Sequence, residues 1–138
     1  MSNSKLLDKK TIIIPGSSRG IGREMALKFA ANGANVVIAA KSDDAHTQLP
    51  GTIYSVAKEV DEAGGQGLAV QVDVRDDESI KNLIEKTVER FGGIDVVINN
   101  AGAIKLAGAA SLPMKRFDLM YQINTRAVLA LSQAALPW

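Results

Sequence analysis

Residues 11–22, Thr-Ile-Ile-Ile-Pro-Gly-Ser-Ser-Arg-Gly-Ile-Gly, set a β-branched run, a turn and a glycine-rich helix start directly one after another. Few folds accept that order. Residues 11–14 read as a buried strand, because the run is short, β-branched and stopped by Pro15-Gly16. From Ile21 the period becomes helical, with Ile21, Met25 and Phe29 on one face and Asn32-Gly33 as the end. A strand that turns straight into a helix presents unpaired N–H groups and the positive end of the helix dipole at the turn. Gly16, Gly20 and Gly22, spaced Gly-x-x-x-Gly-x-Gly, let the backbone approach a pyrophosphate at that point. Two other readings of the loop fail. Gly16-Ser17-Ser18-Arg19-Gly20 also fits the Gly-x-Ser-x-Gly elbow of hydrolases, but His46 is the one histidine and none follows it. A phosphate loop of the Walker type needs Gly-Lys-Ser/Thr, and no such triplet follows at the required spacing.

The same alternation continues along the chain. A second strand covers residues 35–40, followed by a polar loop over 41–51. Ile53, Ala57 and Val60 mark a second helix, stopped by Gly64-Gly65. Residues 68–74 read as a third strand. Asp76-Asp77 supplies acidic caps for a helix carrying Ile80, Leu83, Ile84, Val88 and Phe91 on one stripe. After Gly92-Gly93, residues 94–98 form a fourth strand. A loop over 99–112 leads to Pro113 and a last long helix over 114–136. Strands that are apolar on both faces, each followed by a helix, imply an α/β domain with a doubly wound parallel sheet. A complete dinucleotide fold of this kind has about six strands. The pattern here supplies four, so the expectation is a single, incomplete domain over 1–138.

Composition narrows the chemistry. A net charge of +1 gives no reason to expect nucleic acid or an anionic membrane as partner. With no cysteine and a single histidine, a metal site is not expected. No apolar stretch approaches the ~20 residues of a membrane span, and residues 1–10 lack the apolar core of a signal peptide. The expected setting is soluble and intracellular, cytoplasmic by default.

Gly16-Ser-Ser-Arg-Gly-Ile-Gly22, Asp73-Val74, Asn99-Asn-Ala-Gly102 and Asn124 occur in the order and at the spacing of the short-chain dehydrogenases/reductases, which the chain resembles over essentially its whole length. The resemblance implies a Rossmann-type sheet in the order 3-2-1-4 and an NAD(P)-dependent oxidoreductase acting on a carbonyl or alcohol. By the same resemblance, Gly16, Ser17, Ser18, Arg19, Gly20, Ile21 and Gly22 cradle the pyrophosphate. Asp73, with the Val74 backbone beside it, receives the adenine amino group. Asn100, Ala101 and Gly102 line the nicotinamide-ribose side, and Asn124 matches the helix asparagine that holds the catalytic lysine through a water. Pro15 departs from the family, which usually has threonine there. Proline offers neither N–H nor hydroxyl, so a weaker turn and weaker cofactor binding are expected.

NAD-specific relatives carry an acidic residue at the end of the second strand, to pair with the ribose hydroxyls. Here Lys41 and Ser42 stand there, and Arg19 adds a cation in the glycine loop. NADP(H) is therefore expected over NAD(H). The family's serine and Tyr-x-x-x-Lys lie after a fifth strand, which this sequence does not reach. Tyr54-x-x-x-Lys58 fits the letters but falls on the second helix, where ordinary i,i+4 pairing explains it. The chain is accordingly expected to bind dinucleotide without turning over a substrate. A non-catalytic dinucleotide module and a purely structural piece remain as alternatives. An open edge on the fourth strand invites pairing with another copy. The resemblance adds the last helix as a subunit contact, so a homo-oligomer is expected.

Overall fold

Successive isoleucines of the first strand point to opposite sides of a sheet, and each side meets its own layer of helices. In the computed structural model, which describes residues 5–41 and 51–138, β1 (Thr11–Pro15) is central, with β2 (Asn35–Ala40) on one side and β4 (Val96–Val97) on the other. β3 (Gln66–Gln71) lies outside β2, giving the parallel order 3-2-1-4 that the family resemblance implies. Ile12 and Ile14 pack with Val36 and Ile38 against α1 (Gly20–Ala31) and α2 (Ile53–Ala63). Ile13 packs with Val37 and Ala39 against α3 (Asp77–Phe91) and α5 (Ala127–Ala135). Each of these isoleucines is at most 2% exposed, a burial worth about 1.5–3 kcal/mol per side chain.

Several expected details shift for physical reasons. The buried stripe of α1 is Gly22, Ala26 and Ala30, whereas Ile21 is 75% exposed and Met25 and Phe29 are only half-buried. Small residues at i, i+4, i+8 let the helix lie close to the sheet, and the larger side chains are pushed to its flanks. On α2 the buried residue between Ile53 and Val60 is Val56 instead of Ala57, behind a Thr52–Ser55 capping box. β3 begins at Gln66 and ends at Gln71, not at 68–74, because its register is set by β2: Gln66 pairs with Asn35 and Gln71 with Ala40, where β2 ends. The expected strand over 94–98 is paired only across Val96–Val97, since β1 is its single neighbour.

The last helix is not uniform. α4 (Met114–Tyr121) runs through a π-helical turn, Gln122–Arg126, before α5 resumes the ordinary α pattern. α4 buries no residue, whereas α5 buries Ala127, Leu131 and Ala135 against α3. No helix among the described residues is long and apolar enough to cross a membrane.

Candidate functional site

The turn between β1 and α1 is held from two sides. Gly16 N–H donates to the Ala39 carbonyl at 2.7 Å, and the Ser17 hydroxyl accepts from Ala39 N–H at 3.1 Å. From the β4 side, the Asn100 side-chain amide donates to the carbonyls of both Pro15 and Gly16 at 3.1 Å. Pro15 thus removes one donor from a turn that is tied by three other groups, and its own carbonyl is one of the anchors. Ser17 and Ser18 are buried, and the Ser17 hydroxyl is spent on the neighbouring strand.

Two glycines are required by this geometry. Gly16 has φ +78°, and a Cβ there would lie 3.1 Å from the Ala101 Cα. A Cβ on Gly22 would press against the Gly16 carbonyl oxygen, with Ser17 Cα at 2.9 Å and Asn100 Nδ2 at 2.7 Å. The helix start therefore sits directly on the turn. Arg19, the N-cap residue of α1, makes no side-chain capping bond. The first-turn N–H groups consequently have no side-chain cap, and the positive end of the dipole faces the turn.

Beside this turn lies a cleft of about 140 Å³ at the carboxyl ends of the strands, walled by Pro15, Gly16, Lys41, Asp73, Val74, Ala101 and Gly102 among others. Six of the residues expected at the site thus meet in one place. The Arg19 guanidinium is directed instead to the Gly51 carbonyl at 3.4 Å. Ser42 lies outside the described residues. Larger cavities occur elsewhere, one of about 540 Å³ between α3 and α5 and one of about 550 Å³ beside Arg75 and α4. Neither contains the glycine turn.

Three side chains behave in ways that the sequence does not announce. Asp73 is engaged by Arg75: its Oδ1 accepts from Arg75 Nε at 3.0 Å and from the Arg75 backbone N–H at 3.0 Å, and its Oδ2 from Nη2 at 2.7 Å. Lys41 Nζ stands 3.9 Å from the same Oδ2. The Arg75 guanidinium holds the Asp73 carboxyl below the usual carboxylate range, with burial opposing and Lys41 adding a smaller pull. Asn100 points into the turn, acting as a strut between β4 and the glycine loop. Asn124, in the π turn, pairs with a single residue of the loop after β4: Oδ1 accepts from Ala103 N–H at 2.9 Å, and Nδ2 donates to the Ala103 carbonyl at 2.7 Å. Although exposed, it is a clamp on that loop and not the free helix residue that its spacing alone allows. Only the Asp73–Arg75 contact has a local signal, since aspartate readily accepts the backbone N–H two residues on.

A glycine turn at a helix start, at the carboxyl ends of a parallel sheet in the order 3-2-1-4, defines a Rossmann-type dinucleotide fold. The sequence profile of the short chain dehydrogenases matches residues 10–138, and the chain belongs to that family. It is 50% identical over all 138 residues to hydroxysteroid dehydrogenase-like protein 2 of Bos taurus, of which it covers 33%. It is 52% identical to a putative dehydrogenase from Xanthomonas campestris, whose crystal structure superposes with a TM-score of 0.91 over 94% of this chain and 49% of that one. An NADH-dependent reductase, A1-R', complexed with NAD superposes with a TM-score of 0.83 at 32% identity, covering 95% of this chain and 52% of the other. The chain thus spans about a third of the bovine relative's length and about half of each of the two solved structures.

Proposed function

We propose that this chain is the dinucleotide-binding unit, over 1–138, of an NAD(P)-dependent oxidoreductase acting on a carbonyl or alcohol, and that it prefers NADP(H) to NAD(H). The observation that carries the reading is the joining of an uncapped helix start and two sterically required glycines to a cleft that ends on Lys41. Such a cradle suits a pyrophosphate, because backbone N–H groups and the helix dipole stabilise its charge without a side chain in the way. When bound, the nicotinamide supplies hydride exchange with the substrate.

The protein's own residues bind and orient. Gly16 to Gly22 receive the diphosphate, and Ile21 within that run is exposed. Asp73 and Val74 border the adenine end, and Ala101 and Gly102 the nicotinamide-ribose end. Asn100 keeps the turn in register, and Asn124 keeps the adjoining loop in place. One related reductase is NADH-dependent, so the choice of cofactor falls to the residues after β2. Lys41 there, 70% exposed at its side chain, suits a 2′-phosphate, to which a charge-assisted hydrogen bond is worth about 1.5–3 kcal/mol. Titrating wild type and Lys41→Asp with NADPH and NADH tests the preference. The ratio of affinities is expected to fall by roughly ten- to a hundredfold in the variant, and an unchanged ratio contradicts the reading.

A second reading, dinucleotide binding without turnover, is favoured by the placement of Tyr54 and Lys58 on α2, away from the cleft wall. A general acid–base is typically worth ~10²–10⁴ in rate. With neither Tyr54 nor Lys58 at the cleft wall, purified chain and NADPH should leave a test aldehyde unreduced, and measurable NADPH oxidation would contradict this. We also propose self-association through the β4 edge and the exposed apolar side chains of α4 and α5, Phe117 and Leu129 among them.

A further inference from the structure

Lys41 has a competitor for its charge. Asp73, the carboxylate nearest to it among the described residues of the same cleft wall, stands 3.9 Å away and carries charge of the same sign as a cofactor phosphate. Left alone, that carboxylate would attract the ammonium inward and repel a phosphate arriving beside it. It is not left alone. Both of its oxygens are taken by Arg75, through two guanidinium bonds and one backbone bond at 2.7–3.0 Å. A bidentate arginine fork with an additional backbone donor is the geometry in which a partly exposed ion pair is held in one arrangement. Arg75 also has little reason to leave. The cavity on its other side is lined by Lys115, Arg116 and Asp118, where two cations outnumber one carboxylate.

We propose that Arg75 is a positioning residue that determines cofactor specificity: by neutralising and fixing the Asp73 carboxylate, it frees Lys41 for a phosphate on the adenosine ribose. The inference rests on the NADP(H) preference put forward above. Arg75 touches no cofactor in this account; it acts through Asp73. Lys41, Asp73 and Arg75 together carry one net positive charge. Without Arg75 the remaining two sum to zero, and Lys41, already 3.9 Å from Asp73, is held there more firmly.

The test is a double-mutant cycle on the full chain, with NADPH and NADH affinities measured by calorimetry for wild type, Arg75→Gln, Asp73→Asn and the double variant. Arg75→Gln is expected to lower the NADPH/NADH affinity ratio by roughly tenfold. Asp73→Asn should leave the ratio at or above that of wild type, and adding it to Arg75→Gln should restore most of the loss. Arg75→Lys, which keeps the charge but loses the fork, should fall between. A merely structural role would lower both affinities together and leave the ratio unmoved. A wild type with no NADPH preference would overturn the NADP(H) reading and this inference with it. A wild type that prefers NADPH, with the ratio intact in Arg75→Gln, would overturn this inference alone. If Arg75→Gln does not fold, Asp73→Asn decides: a fall in its ratio contradicts the proposal.

Discussion

The sheet region built on β1, β2 and α1–α2 and the region after β4 obey different rules. In the first, every residue of β1 is buried, and the helices lie close enough that Gly22 and Ala26 form the contact face. In the second, the strand is two residues long, α4 buries nothing, and Phe117, Tyr121, Leu129 and Leu136 are exposed. The glycine turn belongs to the first region, yet it is braced from the second by the Asn100 amide. A ligand site of this kind needs a rigid floor and tolerates a sparsely packed far wall, provided that a few hydrogen bonds cross between them.

The largest effect that separates the regions is packing. Ile38→Ala, which hollows the fully buried β2 core, is expected to cost about 2–5 kcal/mol in urea unfolding. Leu129→Ala, at a side chain 62% exposed on α5, should change stability by no more than ~0.5 kcal/mol in a dilute monomer. Equal costs would break the comparison. Gly22→Val comes next. Its side chain meets backbone atoms of Gly16 and Ser17, which cannot give way as a flexible side chain would. About 1–3 kcal/mol of stability should be lost, and dinucleotide binding with it, as read by NADPH fluorescence. Asn100→Ala then sharpens the role of the brace. It leaves two carbonyls of the turn without this donor, so a loss of about 1–3 kcal/mol is expected. NADPH affinity should fall more than the unfolding midpoint suggests.

The smallest effect concerns acid. Asp73 has a folded-state pKa below its ordinary value, chiefly through Arg75. A depressed carboxyl stabilises the fold at pH values above its unfolded pKa of ~3.9, and this contribution fades as pH falls through the lower folded value. Asp73→Asn should therefore flatten part of the stability loss between about pH 5 and 2, measured as urea midpoints. Some acid sensitivity should persist, because Arg126 lowers Asp77 in the same direction. A variant curve parallel to that of wild type would sink the assignment.

How much of this was legible in the sequence follows from what each feature depends on. The strand order 3-2-1-4 comes from the family resemblance, whereas the glycine turn and the Asp76 cap of α3 are set by local periodicity and turn chemistry, and they could be read. The limits of β3 and β4 could not, because a strand ends where its neighbour does. Gln66 and Gly67 carry no apolar signal but pair with β2, whereas Val72 and Val74 carry one and lie beyond its end. Ile21 misled for a related reason: helical spacing gives a face, and only the sheet decides which face is buried. Proline at 15 lacks a donor, and the sequence shows only that loss. The donor that ties the Pro15 carbonyl is Asn100, 85 residues away, which no local pattern connects to it. The Asn124 clamp on Ala103 is likewise a tertiary fact, and the π turn that carries Asn124 leaves no mark in the apolar pattern.

The most direct measurement is a calorimetric titration of the purified, folded chain with NADPH, repeated with NADH. Saturable binding, tighter for NADPH and lost in Gly22→Val, is the result that the account predicts. A folded chain that binds neither nucleotide would contradict it, leaving the family's fold without the family's cofactor.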